Sequence, residues 1–139
     1  MKHAFFQSIE HCPHNSTLPL EEIVSQLAFN SDGLIPVITQ DAQSKDVLMM
    51  AWMNETALRQ TLTTQRVTYW SRSRQALWVK GETSGHTQSL VQLSFDCDGD
   101  AILCLVTQEG PACHTGRPNC FYLQVNEEGT HVVVNGDSA

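Results

Sequence analysis

No apolar run in this chain approaches the ~20 residues that a bilayer-spanning helix needs; the longest, such as Val47 to Met53, is far shorter. The opening Met1-Lys2-His3-Ala4-Phe5-Phe6 has no apolar core of signal-peptide length before Glu10. Five cysteines are an odd count, and nothing marks the chain for export, so a disulfide framework is not expected. Reduced thiols in a cytoplasmic protein without membrane contacts are the expectation. Basic residues are scarce. Eight Lys and Arg face fifteen Asp and Glu, and the net charge of −7 argues against nonspecific nucleic-acid binding. The G-x-S-x-G elbow, the Walker loop, G-x-G-x-x-G and the H-x-E…P-C-x-x-C pattern of zinc deaminases are all missing.

What remains suits one globular domain: 139 residues, 41% apolar and 17% charged. Leu20, Ile23, Val24 and Leu27 recur at helical spacing behind Pro19, predicting a short helix over about 19–29 within an N-terminal extension, 1–29. The main domain spans 30–139. It opens on the turn Asn30-Ser31-Asp32-Gly33 and a strand, Leu34 to Thr39, which Pro36 places near an edge. A hairpin loop at 41–45 leads to a strand from Val47 to Met53, and Asn54 caps a helix from Glu55 to about Thr63. Further strands are expected at 66–71, 76–80, 86–98, 101–107, 121–125 and 131–134. The fold class is α+β, mostly antiparallel sheet with two or three helices.

Chemistry concentrates in Asp96-Cys97-Asp98-Gly99-Asp100, followed by Cys113-His114 and Cys120. Carboxylates are hard ligands for Mg²⁺ or Ca²⁺, whereas thiolates select zinc or copper. On an extended strand the three aspartates would face one way and Cys97 the other. The opening resembles an EF-hand loop, but Ala101 stands where that loop needs glycine and Thr107 where it needs a bidentate Glu. Three thiols without a C-x2-C pair suit a zinc site that keeps an open position, with His114 as a base beside it. Cys104, inside the apolar run Ile102 to Val106, reads as a small core hydrophobe, and Cys12 as a surface residue. Five of the eight basic residues lie between Arg59 and Lys80, either a solvated face or a phosphate-binding island.

Taken together, Ser31-Asp32-Gly33-Leu34-Ile35-Pro36, Val47 to Asn54, Tyr69-Trp70-Ser71-Arg72-Ser73-Arg74, Leu77 to His86, Asp96 to Asp100 and Gly110-Pro111-Ala112-Cys113-His114-Thr115-Gly116 resemble the phosphoribosyl-AMP cyclohydrolase family of histidine biosynthesis. The resemblance runs over about 30–122. It implies hydrolytic opening of the N1–C6 bond of the substrate's adenine ring, by one catalytic Zn²⁺ and Mg²⁺ per site, in an intertwined homodimer. It matches Cys97, Cys113 and Cys120 to zinc ligands shared across subunits, and Asp96, Asp98 and Asp100 to magnesium ligands. Many relatives carry a second, fused domain; a chain ending here is expected to be monofunctional.

The substrate's two phosphates need donors, and Arg72, Arg74, Lys80 and Arg117, with Ser71, Ser73, Thr83 and Ser84, supply suitable ones. Trp70 or Trp78 stacks on the purine or fills the core. His86 is either a second acid/base or a satisfied strand residue. Two rival readings stand beside this one: a non-catalytic, zinc-stapled dimerisation module, and a hydrolase of another phosphorylated purine.

Overall fold

The computed structural model describes residues 2–138. Three helices, α1 (Lys2–Ser8), α2 (Leu20–Gln26) and α3 (Glu55–Thr64), accompany eight strands. β1 (Ile35–Asp41), β2 (Val47–Met53), β5 (Gln88–Phe95) and β6 (Ile102–Gln108) form the main sheet in the order β2-β1-β6-β5. β3 (Thr68–Ser71) with β4 (Ala76–Val79), and β7 (Leu123–Val125) with β8 (Val132–Val134), make two separate hairpins. Every pairing is antiparallel except β1 with β6. This is the α+β, mostly antiparallel class with three helices.

α3 forms as its sequence dictates. Asn54 accepts the Ala57 N–H at 2.8 Å, and Gln65 closes the C-terminus in a left-handed conformation, φ 62°. The helix buries Ala57, Leu58 and Thr61, and the Thr61 hydroxyl accepts the Thr68 N–H at 2.9 Å, binding helix to hairpin. In β1 the burial alternates: Ile35, Val37 and Thr39 turn into the core with Ile102, Cys104 and Val106 of β6. Phe6, Val24 and Leu27 close that core from the N-terminal segment.

Two expectations are corrected, and one element is added. Pro36 lies on an internal strand; its missing N–H is tolerated because pairing with β6 starts only at Val37. Asp96 to Asp100 is a tight turn after β5 rather than a strand, so strand alternation does not orient its side chains. α1 carries no strong periodic signal and was not anticipated; its one deeply buried described side chain, Phe6, fixes it.

The reverse face of the main sheet is apolar yet uncovered by helices. Ile38 and Met50, cross-strand partners, are 42% and 43% exposed, and Val91 is 58% exposed. The opposite interior holds a polar chain instead. The Tyr69 hydroxyl lies 2.6 Å from Thr39 Oγ1 and donates to Gln88 Oε1 at 2.7 Å. Gln88 Nε2 donates to Gln108 Oε1 at 2.8 Å, and Gln108 Nε2 to the His86 carbonyl at 3.3 Å. Among the described residues no buried side-chain N or O lacks a partner, so this chain carries no unpaired-polar penalty.

Candidate active site

A cleft of ≈ 470 Å³ opens between the end of β4, the loop after it and the 110–116 loop. Of the residues singled out from sequence, Arg74, Lys80, Thr83, Ser84, His86, Cys113 and His114 line it, with Trp78. His86 lies against Gly110, where a Cβ would come 2.7 Å from its Cδ2. Glycine at 110, with φ +69°, therefore lets the two walls of the cleft meet.

Lys80 is held on the cleft wall. Its Nζ donates to the Ala112 carbonyl at 2.6 Å and sits 5.1 Å from the Trp78 ring centroid. Desolvation lowers its pKa, while the neighbouring Cys120 and Cys113 thiols act in the opposite direction. A cation thus stands beside two potential thiolates.

Cys113 and Cys120 are neighbours whose thiols interact. Burial pushes Cys113 up, but hydrogen bonds from the Thr115 hydroxyl, at 3.1 Å, and backbone, with Cys120 and the Arg117 charge, hold it net below an ordinary thiol. Burial and the Cys113 charge push Cys120 up to about 11. Without a metal, the pair favours one thiolate, on Cys113. Cys97 stands apart, lining a different cavity of ≈ 410 Å³ with Phe6, Ile9 and Phe95. The three sulfurs do not gather within 4.8 Å in one chain.

The aspartates do gather. Ligand oxygens of Asp96, Asp98 and Asp100 all lie within 4.8 Å of one another, the one such trio of His, Cys, Asp or Glu among the described residues. Asp96 shapes the turn, accepting the Asp100 and Ala101 N–H groups at 2.8 and 3.2 Å. Hydrogen bonding to Asp96 and Asp98 raises Asp100 to about 6, because clustered carboxylates share a proton when nothing else neutralises them.

The remaining sequence candidates lie elsewhere. Trp70, Ser71, Arg72 and Ser73 border a separate depression of ≈ 300 Å³ beside Trp52, with the Arg72 guanidinium 5.0 Å from the Trp52 ring. This depression adjoins Met50, on the uncovered sheet face. Arg117 stacks 3.9 Å over Tyr122, and its Nε donates to the Gly136 carbonyl at 3.1 Å. Sequence reasoning missed Thr115, whose position two residues after Cys113 is a usable signal for a hydroxyl on a thiolate. It also missed the Ala112 carbonyl that fixes Lys80, for which no side-chain signal exists.

A cleft holding a cation, two imidazoles and a cysteine biased toward the thiolate has the make-up of an enzyme active site. The phosphoribosyl-AMP cyclohydrolase family profile matches residues 49–122. Proteins of that name are similar over more of the chain. The one from Hydrogenovibrio crunogenus is 52% identical over 130 residues, 94% of this chain and 88% of that protein. The Paracoccus denitrificans protein is 61% identical over 79% of this chain and 90% of its own length. That of Roseobacter denitrificans is 62% identical over 73% and 80%. The chain belongs to the phosphoribosyl-AMP cyclohydrolase family. Among the described residues, no helix is long and apolar enough to cross a membrane.

Proposed function

We propose that this chain opens the adenine ring of phosphoribosyl-AMP by hydrolysis, as its family name describes, at the 470 Å³ cleft, with zinc at the cysteines and magnesium at the aspartates. The observation that carries the reading is the convergence of Lys80, His86 and His114 on the cleft wall that Cys113 also lines.

The donor sets fit the two metals. Cys113 and Cys120 are adjacent soft ligands, and Cys113 is biased toward the thiolate that zinc requires. Cys97 is displaced, so a complete three-thiolate set calls for a second copy of the chain, for which the uncovered apolar sheet face is a suitable contact surface. The aspartate trio is a hard, oxygen-only set within a single chain. Cys97, Cys113 and Cys120 would hold the zinc, which when bound would supply an acidified water as nucleophile near neutral pH.

The side chains of the cleft do the rest. Water adds at C6 and the N1–C6 bond breaks; of the two protons that leave the water, one goes to the exocyclic C6 nitrogen, completing a carboxamide, and the other is returned to N1. His114 and His86 flank this path and exchange that proton. Lys80, pinned by Ala112, faces developing negative charge, and Trp78 offers a ring for the purine. Arg74, Thr83 and Ser84 receive one phosphate at the mouth of the cleft. The other falls to Ser71, Arg72 and Ser73, which with Trp70 border their own depression, and to Arg117.

Purified protein incubated with phosphoribosyl-AMP should show the absorbance change of ring opening, lose it on zinc chelation and regain it on zinc return. No change with metal-replete protein overturns the reading. Mixing the inactive variants Cys97→Ser and Cys113→Ser under subunit exchange should restore about half the activity per mixed dimer, since one site collects both substitutions and the other neither. With exchange confirmed, no recovery means that each subunit builds its zinc site alone.

A further inference from the structure

We infer that Phe6 is a positioning residue: its ring, with the backbone N–H of Ala28, holds the Asp96–Asp100 turn in its metal-ligating shape from outside. The inference rests on the proposed reading of Asp96, Asp98 and Asp100 as hard-cation ligands.

Gly99 sits between two of those ligands with φ +70°, and a Cβ there would overlap Phe6 Cε2 and Cζ. The phenyl ring is therefore seated on the bare Cα of the turn. Phe6 is only 4% exposed, although α1 is seven residues long, too short to persist without tertiary packing. Phe5 meets it edge to face, with centroids 5.2 Å apart. A second tether comes from just beyond α2, where the Ala28 N–H donates to the Gly99 carbonyl at 2.8 Å.

Inside the turn, Asp96 does the complementary work. Its carbonyl accepts the Gly99 N–H at 3.1 Å, and its Oδ1 the Asp100 N–H at 2.8 Å. Three carboxylates within 4.8 Å repel one another, so an unsupported turn would relax outward and the cation would have to pull it back. Phe6 and Ala28 oppose that relaxation at Gly99, where a shift moves Asp98 and Asp100 together. Preorganisation of this kind appears as ligand affinity. It gives a segment beyond the 49–122 family match a defined role in the site.

The test measures Mn²⁺ binding to full-length, zinc-loaded protein, reading the free ion by electron paramagnetic resonance while circular dichroism reports folding. Phe6→Ala should raise the Mn²⁺ dissociation constant about tenfold, as for loss of an outer-shell support. Phe6→Leu should recover most of that loss. Leu62→Ala loosens the core from α3, which packs on β2 and β3, and should leave Mn²⁺ binding unchanged. If Phe6→Ala does not fold, Ala28→Pro serves: it deletes the donor, and Leu27, with ψ 142°, tolerates a following proline. A folded Phe6→Ala, or Ala28→Pro in its place, that binds Mn²⁺ as wild type does overturns the inference. So does equal weakening by Leu62→Ala. Asp98→Asn separates the two readings. If it weakens Mn²⁺ binding while Phe6→Ala does not, only the positioning role falls; if it changes nothing, the aspartate site falls and takes the positioning role with it.

Discussion

Two buried thiols sit in this protein and behave in opposite ways. Cys104, on β6, is fully enclosed, and burial pushes its thiol up to about 12. Cys113, in the 110–120 loop, is only 5% exposed, yet the Thr115 hydroxyl and N–H, together with Cys120 and the Arg117 charge, outweigh burial and hold it below an ordinary thiol. Depth and neighbours both separate them: Cys104 lies deep in the sheet core, whereas Cys113 lines the open cleft among hydrogen-bond donors. A sheet interior spends its N–H groups on the ladder, and the hydroxyl of Thr39, the cross-strand partner of Cys104, is already engaged with Tyr69. An irregular loop has N–H and O–H groups free to aim at a sulfur. Both thiols of the adjacent pair lie where the backbone leaves the ladder, yet the donors favour only Cys113; Cys120 is still pushed up to about 11.

The largest effect that can break this contrast is a swap of loss sites. Cys113→Ser should lose tightly bound zinc and reduce turnover by more than about 100-fold, beyond the usual cost of an outer-shell defect. Cys104→Ala should keep both and lose about 1 kcal/mol of stability to the small cavity. Metal analysis and urea unfolding read the two losses separately, and equal zinc content in wild type and Cys113→Ser would remove the distinction. A smaller effect sharpens it. Thr115→Val keeps the shape and deletes the donor, so competition with a chelator should show zinc held about tenfold more weakly, with no matching fall in melting temperature. Unchanged zinc retention would mean that the hydroxyl merely fills space.

Much of this was legible in the sequence because it is written locally. The Asn54 cap, the 47–53 strand and the status of Cys104 follow from spacing and neighbours alone. The aspartate trio was legible as a cluster although its geometry was misassigned: Gly99 and the Asp96 hydrogen bonds make a turn where alternation suggested a strand. Contacts between distant segments left no trace. Nothing near Phe6 announces Gly99, nothing near Lys80 announces the Ala112 carbonyl, and the chain Thr39–Tyr69–Gln88–Gln108 reads as unrelated polar residues until the sheet is assembled. Arg72 and Arg74 share one motif, yet only Arg74 reaches the cleft, because the hairpin turns between them.

The smallest effect concerns the alkaline limb of stability, and its sign follows from Cys104. The unfolded thiol loses its proton near its ordinary value of 9.0, whereas the folded one keeps it until about 12. Between those values the native state binds more protons than the unfolded state, so this contribution is fully present below pH 9.0 and is lost as pH climbs toward 12. The slope approaches about 1.4 kcal/mol per pH unit within the window. Burial pushes Tyr69 up, with a smaller contribution from Cys104, and Cys120 is pushed up to about 11, so both add alkaline slopes of the same sign in wild type and variant alike. The informative quantity is the difference between two proteins. Urea unfolding of wild type and Cys104→Ala, followed upward from pH 8.5 or so, should give curves that start offset by the cavity cost and converge as pH rises, because only wild type carries the thiol slope. Parallel curves would mean that the β6 thiol ionises as readily folded as unfolded, and the contrast between sheet and loop would then rest on the loop alone.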